Sequence, residues 1–142
     1  MRNLFIFLAM ASLISLASCT SEDQKVVNTL SEGEWEVTRV TVNGVAQNDS
    51  TFADDKYVFE KCTVSSSNCD GTYTYNDPTK GLTESSFTYS ISDEGETITL
   101  NQEIFGLPIT TTGNIVESSD SRFVWSVTDD FGDVTETTIE KI

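Results

Sequence analysis

Alternation of apolar and polar residues with a period of two is the feature that most restricts the fold of this chain. Ser86–Ser92 places Phe87, Tyr89 and Ile91 between serines and a threonine, and Thr97–Ile104 repeats the pattern. A period of two is typical of a β-strand with one buried face. Beyond the first 31 residues, no stretch sustains the period of 3.6 that an amphipathic helix requires. The sequence therefore predicts an all-β domain.

Turn-forming Gly, Pro, Asn and Asp residues, among them Asn43-Gly44 and Cys69-Asp70-Gly71, separate the alternating segments. A shift of phase at Arg39-Val40 predicts a β-bulge in the first strand. A meander of strands that closes on itself leaves no unpaired edge, which predicts an eight-stranded antiparallel up-and-down barrel. The alternative is an open sandwich of two sheets. The predicted strands lie at Glu34–Val42, Tyr57–Phe59, Tyr73–Tyr75, Ser86–Ser92, Thr97–Ile104, Pro108–Val116, Phe123–Val127 and Val134–Ile142.

The first 18 residues have the composition of a secretory leader. Arg2 supplies one positive charge, and Leu4–Leu16 is an almost unbroken apolar run. As a helix this run would span roughly 20 Å, less than the roughly 30 Å hydrocarbon core of a bilayer, so it indicates a signal peptide. Leu16-Ala17-Ser18-Cys19 resembles the bacterial lipobox. That resemblance implies cleavage before Cys19 and attachment of lipid to its sulfur, so we expect residues 19–31 to form a lipidated tether.

The residues after the cysteine bear on location. Position 20 is Thr, whereas Asp at this position often retains lipoproteins at the inner membrane. Ser21-Glu22-Asp23 resembles the acidic tract that exports lipoproteins to the cell surface, although acids are also common in solvated tethers. We therefore expect a lipid anchor in the outer membrane, with surface exposure left open. Val26, Val27 and Leu30 have helical spacing and predict one helical turn packed over the end of the domain.

Charge and histidine content exclude several functions. The net charge is −15 and becomes more negative by one when the leader leaves with Arg2. A nucleic-acid binder needs the opposite sign, and so does a protein that docks on anionic lipid through a basic patch. Histidine is absent, which removes the usual general base and transition-metal ligand. Acidic clusters at the turns could bind calcium, but the sequence has no acidic ladder of an EF-hand loop, and we expect solvated loops. We expect neither an enzyme, a catalytic residue, a cofactor nor a metal site.

Cys62 and Cys69 remain as a pair once Cys19 is lipidated. They flank a polar turn, Ser65–Asn68, between two strand patterns. An even pair in an oxidising compartment predicts a disulfide, and opposed residues of a hairpin have the separation that a disulfide requires.

Gly33-Glu34-Trp35, at the start of the first strand, matches the G-x-W signature of lipocalins. The order of segments that follows resembles the short lipocalin-like lipoproteins of Bacteroidetes-type bacteria, over roughly Leu30 to Ile142. The resemblance implies that Trp35 plugs the closed end of a lipocalin-like barrel, residues 32–142, with Arg122 packed on it. It also implies a lumen that holds a small hydrophobic or amphipathic molecule.

Two hypotheses about function follow. In the first, a monomeric barrel binds a ligand in its lumen; in the second, the same aromatic residues fill a solid core, and the protein is an interaction module with a functional face on its loops. The first predicts polar side chains that point into a void. The candidate lining residues are Arg39, Tyr57, Phe59, Lys61, Tyr73, Tyr75, Phe87, Tyr89 and Gln102.

Overall fold

The computed structural model describes residues 20–65, 68–104 and 106–142. The predicted leader, residues 1–18, and Cys19 with its predicted lipid lie outside the described residues. Within them, one α-helix, α1 (Glu22–Leu30), precedes an antiparallel sheet. The strands are β1 (Glu34–Val42), β2 (Val45–Ala46), β3 (Lys56–Phe59), β4 (Cys69–Asp77), β5 (Gly81–Ser92), β6 (Thr97–Ile104), β7 (Leu107–Ser118), β8 (Arg122–Thr128) and β9 (Val134–Lys141).

Eight of these strands form a closed barrel in which each strand pairs with its neighbour in the chain. β1 and β3 through β9 follow one another around the wall, and β9 returns to pair with β1, with Trp35 opposite Lys141. The short β2 pairs only with the end of β1, across a turn in which Asn43 and Gly44 both have positive φ. Closure confirms the predicted up-and-down barrel and rules out the open sandwich.

The helix covers one end of the barrel, here called the closed end. Ser21 caps α1 by accepting a hydrogen bond from the backbone N–H of Gln24, and apolar residues spaced along one side, Val26, Val27 and Leu30, are buried in the core. The sequence predicted only a single turn here. The helix is longer because a capped first turn with acidic residues precedes the apolar face, and much of the predicted tether is thus part of the folded domain.

The helix is also tied to two loops at the closed end. The Asp23 carboxylate accepts a hydrogen bond from the backbone N–H of Gly95, in the turn between β5 and β6, at 2.6 Å. Gln24 donates to the backbone oxygen of Cys62 and accepts from the backbone N–H of Val64. The predicted disulfide between Cys62 and Cys69 is present, with 5.6 Å between the Cα atoms, and it joins this loop to the start of β4.

Two expectations about the backbone have different outcomes. The register of β1 against β9 shifts between Val37 and Arg39, which confirms the predicted bulge. Cys69-Asp70-Gly71 was expected to be a turn, and that prediction was wrong, because these residues begin β4 and pair with β5. Glycine is needed there for packing rather than for a turn, since a Cβ on Gly71 would overlap the ring of Phe87.

The closed end also explains the Gly33 and Trp35 motif. Trp35 is 0 % exposed, and its indole N–H donates to the backbone oxygen of Leu30 at 2.8 Å, so the side chain is fixed beneath α1. The side chain of Lys141, the cross-strand partner of Trp35, passes over Gly33 and pairs with Glu32. Glycine leaves the space that this lysine occupies.

Candidate functional site

The wall of the barrel separates at the end opposite α1, here called the open end. β5 and β6 pair from Ser92 and Thr97 as far as Phe87 and Gln102. Beyond that point residues 81–86 of β5 pair with β4, and residues 103–104 of β6 pair with β7. The β4–β5 and β6–β7 hairpins therefore diverge in a fork, where the backbone pairing between β5 and β6 ends.

A pocket of about 520 Å³ lies beside this fork, and we call it the fork pocket. Asp70, Thr88, Asn101 and Thr110 form a row of directly paired residues across four strands. The adjacent row contains Tyr89 and is buried, so alternation places the first row on the outer face. The fork pocket is lined by Glu60, Asp70, Gly71, Thr72, Ser86, Phe87, Thr88, Asn101, Gln102, Glu103, Pro108, Ile109 and Thr110.

Hydrogen bonds between side chains organise the row that crosses the pocket. The hydroxyl of Thr110 donates to Asn101 Oδ1 at 2.8 Å, and Asn101 Nδ2 donates to the hydroxyl of Thr88 at 3.5 Å. These bonds connect β5, β6 and β7 on the outer face. They also orient hydroxyl and amide groups that can bind polar parts of a ligand.

Gln102 is the last residue of β6 that pairs with β5 before the fork. Its register with Phe87 and Ile109, two positions from Leu100, places it on the inner face. Among the described residues, its side-chain oxygen Oε1 is buried and has no hydrogen-bond partner. A buried acceptor without a donor costs roughly 1–3 kcal/mol, so a donor supplied at this position would stabilise the protein.

The interior of the barrel is filled with aromatic rings. Tyr57 lies among four of them, with centroid distances of 4.6 Å to Tyr73, 5.7 Å to Phe87 and 5.9 Å to Trp125, and a fourth contact to Phe59. Most of these contacts are offset-stacked or edge-to-face, which are the favoured aromatic geometries. Burial raises the pKa of Tyr57 above its usual value and, for Tyr89, to about 12, so both phenols stay neutral.

One carboxyl group stands next to this aromatic core. The Tyr73 hydroxyl donates to Asp55 Oδ2 at 2.5 Å. Burial raises the pKa of Asp55 above its usual value, and the bond from Tyr73 acts in the opposite direction. Burial, together with the neighbouring Tyr57 and the same carboxylate, raises the pKa of Tyr73. Tyr73 is therefore a neutral donor that holds a partly buried acid in place.

A second pocket, of about 400 Å³, lies between the two hairpins of the open end. Its lining includes Tyr75, Glu84, Glu103 and the Asp77 turn. Asp77 Oδ1 accepts hydrogen bonds from the hydroxyl and backbone N–H of Thr79 and from the next backbone N–H, and these bonds lower the pKa of Asp77. The carboxylate of Asp77 therefore stabilises the turn.

The predicted lining residues fall into three groups. Phe87 and Gln102 lie at the fork pocket, and Tyr75 lies at the second pocket. Tyr57, Phe59 and Tyr89 are buried in the core, with the half-buried Tyr73 packed against it. Arg39 and Lys61 are exposed.

Three predicted orientations have to be corrected. The bulge in β1 pairs Arg39 with Thr138, not with an inward residue, and so turns it outward. Lys61 follows the end of β3 and lies in an exposed loop, which breaks the phase that the sequence suggested. Arg122 is on the outer side of β8, where it pairs with Glu117 at 3.5 Å. Lys141, not Arg122, is the cation directly opposite Trp35.

The outward polar residues Thr88, Asn101 and Thr110 were missed because alternation assigns them to a solvated face. No pattern in the sequence indicates that the outer face forms a pocket beside a fork. In the described part of the chain, no three His, Cys, Asp or Glu residues are grouped so that they could hold a metal ion. No helix of residues 20–142, as far as they are described, has the length and apolar character needed to span a bilayer.

Comparison with known proteins identifies the fold. No protein-family model matches the sequence, and no curated protein matches it. A lipocalin-like protein from Bacteroides uniformis has a similar structure, with a TM-score of 0.57 and 18 % identity over 80 % of this chain and 99 % of that one. A redesigned β-barrel has a TM-score of 0.56 and 13 % identity, over 82 % of this chain and 95 % of that one. Another, mFAP1 bound to DFHBI, has a TM-score of 0.52 and 16 % identity, over 82 % and 98 %.

The chain is a closed, eight-stranded antiparallel β-barrel with a single short α-helix in its described part. More specifically, the barrel is lipocalin-like, as the resemblance of Gly33-Glu34-Trp35 to the lipocalin signature implied. At these identities the likeness concerns the fold alone.

Proposed function

We propose that this protein is a lipid-anchored binding protein of the bacterial outer membrane whose barrel holds a small amphipathic molecule at the fork pocket. The observation that carries the proposal is a pocket of about 520 Å³ whose lining includes Gln102, a residue with a buried, unpartnered acceptor, Oε1. Ligand sites typically have volumes of roughly 300–1,000 Å³ and combine apolar walls with a few polar groups. A donor on the ligand would satisfy the glutamine carbonyl.

The proposed site differs from a ligand in the centre of the barrel. Aromatic rings pack against one another in the interior, so the proposed site lies instead where the wall separates. Phe87 connects the two regions: its ring packs on Tyr57 and Phe59 in the core, and the residue also lines the fork pocket. The lipocalin-like fold supports binding rather than catalysis, and mFAP1 is a barrel of this shape that carries a small molecule.

The proposed lipid anchor is Cys19, which lies only a short distance along the sequence from the helix. Only Thr20 and Ser21 separate Cys19 from α1. Because one residue of extended chain spans at most about 3.6 Å, the lipid would hold the closed end within roughly 10 Å of the membrane. Ser21 and Asp23 make the cap and the contact with Gly95, so these residues already have structural roles besides any role in export. Replacing Cys19 by Ser should abolish incorporation of labelled palmitate.

Matched variants of two outward threonines on β7 test the binding site. Thr110 lines the fork pocket, and Thr112, two residues away on the same face, is not among its lining residues. We expect Thr110→Trp to fill the pocket and Thr112→Trp to leave it open. Full-length protein would be isolated from its host in lipid nanodiscs, and bound small molecules would be analysed by mass spectrometry.

The result expected is a small molecule that accompanies the wild type and Thr112→Trp but is lost from Thr110→Trp. Identical extracts from the three proteins would overturn the fork pocket as the binding site. Circular dichroism would check that both variants keep the barrel.

A second candidate function is a surface interaction module. Exposed apolar side chains lie in or beside the described hairpin turns of the open end: Val45 is 66 %, Leu82 67 %, Leu107 66 % and Phe131 93 % exposed. With a filled barrel interior, such a rim favours contact with another macromolecule. Absence of any bound small molecule in the experiment above would favour this function.

A further inference from the structure

We propose that the ligand of the fork pocket is an amphipathic amine, with its ammonium group held by carboxylates and its apolar part against β7. This inference rests on the proposed binding function and adds the chemical class of the molecule. Its basis is the distribution of charged, polar and apolar side chains around the pocket.

Acidic residues from three separate segments of the chain line the pocket. Glu60 follows β3, Asp70 lies on β4 and Glu103 on β6. The backbone N–H of Glu60 donates to the backbone oxygen of Asp70 at 2.9 Å, so these two acids are neighbours on adjoining strands. Glu103 lies across the pocket, beyond β5. A cation between them would be attracted from both sides.

Among the residues that the structure describes, no cationic side chain lines the pocket. Its 13 lining residues include neither Lys nor Arg. The ion pairs of the described residues use Lys25, Arg122 and Lys141, with acids outside the pocket. In a protein with a net charge of −15, these carboxylates create a negative potential that attracts cations and repels anions.

The remaining lining residues argue for an ammonium group joined to an apolar part. Gln102, whose buried Oε1 accepts no hydrogen bond from the described residues, also lines the pocket, and an ammonium group can donate there whereas a carboxylate cannot. Pro108 and Ile109 provide apolar surface on β7, and Ile109 is 39 % exposed. A metal ion would leave this apolar surface unused, whereas an alkylamine would use both parts of the site.

Three probes of equal length separate the alternatives: octylamine, octanol and octanoate, below the concentration at which they aggregate. Binding to the full-length protein in nanodiscs would be measured by calorimetry, with empty nanodiscs as the reference. A charge-assisted hydrogen bond contributes roughly 1.5 kcal/mol or more, so octylamine should bind about tenfold more tightly than octanol. Octanoate should bind more weakly than both, and added salt should reduce the preference for the amine.

Variants locate the effect. Asp70→Asn and Glu103→Gln should each reduce the ratio of amine to alcohol affinity several-fold while the affinity for octanol stays unchanged. Asp130→Asn, an exposed acid of the β8–β9 turn, is the matched control and should leave the ratio unchanged. If octanol or octanoate binds as tightly as octylamine, the amine proposal is wrong but the binding function stands. If none of the three binds above the nanodisc background, both proposals fail.

Discussion

The two ends of this barrel are built from the same alternating strands but differ in how completely they are packed. At the closed end Trp35, Tyr89 and Phe123 are each 0 % exposed. At the open end Leu107 and Phe131 are largely solvent-exposed, and β5 separates from β6. Fully buried side chains are therefore concentrated beneath the helix, whereas the opposite end has exposed apolar side chains and a pocket.

Hydrogen bonding follows the same division. Trp35 donates to Leu30, and Gly95 donates to Asp23, so both the indole and a turn of the closed end are fixed by groups of the helix. At the open end, Gln102 has a buried oxygen without a partner among the described residues. Buried polar groups without a partner are rare in folded proteins, so this oxygen distinguishes the open end from the closed end.

Truncation of Trp35 should have the largest effect. Trp35→Ala removes a fully buried ring and its hydrogen bond, and large-to-small changes of this kind cost about 3–5 kcal/mol in the free energy of unfolding. Leu107→Ala at the open end is the control and should change it by less than about 0.5 kcal/mol, since the side chain is 66 % exposed. Urea denaturation monitored by circular dichroism measures both. Equal losses would show that the two ends do not differ as described.

Much of the closed end could be predicted from the sequence because its signals are local. Alternation around Phe87, Tyr89 and Ile91 gave the strand and its buried face, and the shift at Arg39 gave the bulge. The spacing of Val26, Val27 and Leu30 gave the buried face of the helix. In each case the pattern is formed by residues close together in the sequence, and the side chains that it predicts to be buried are packed in the core.

The open end could not be predicted in the same way because its geometry depends on which strands part. A break in pairing between β5 and β6 does not change the alternation of apolar and polar residues in either strand. The pattern therefore predicts that Asn101 and Thr110 are ordinary solvent-exposed residues. The pattern predicted an inward side chain for Lys61 because the sequence does not indicate that β3 ends at Phe59. Gln102 was selected as an inward polar residue, but its missing partner is a property of the folded surroundings.

Gly71→Ala should have an intermediate effect, because it connects the core to the fork pocket. The added methyl group would overlap the ring of Phe87, and overpacking of this kind costs about 1–3 kcal/mol. Phe87→Leu in the same chain should recover part of the loss by removing the ring. A double-mutant cycle from denaturation midpoints measures the coupling between the two sites. Additive effects would contradict the contact.

The smallest effect is expected where Tyr73 meets Asp55, between the packed core and the open end. Burial raises the folded-state pKa of Asp55, so ionisation of this group weakens folding as pH rises through its usual value of 3.8 toward the folded value. The bond from Tyr73 lowers that pKa, and Tyr73→Phe should therefore raise it further. A hydrogen bond to a charged group contributes roughly 1.5–3 kcal/mol, and partial exposure reduces this to about 1 kcal/mol.

Asp55→Asn keeps an acceptor for Tyr73 but removes the titration, so in that background the cost of Tyr73→Phe should be independent of pH. In the wild-type background the cost should be larger at pH 7 than below the usual carboxyl pKa, as measured by urea denaturation across that range. A cost that is the same at both pH values in the wild-type background would mean that the hydroxyl does not stabilise the ionised form of Asp55.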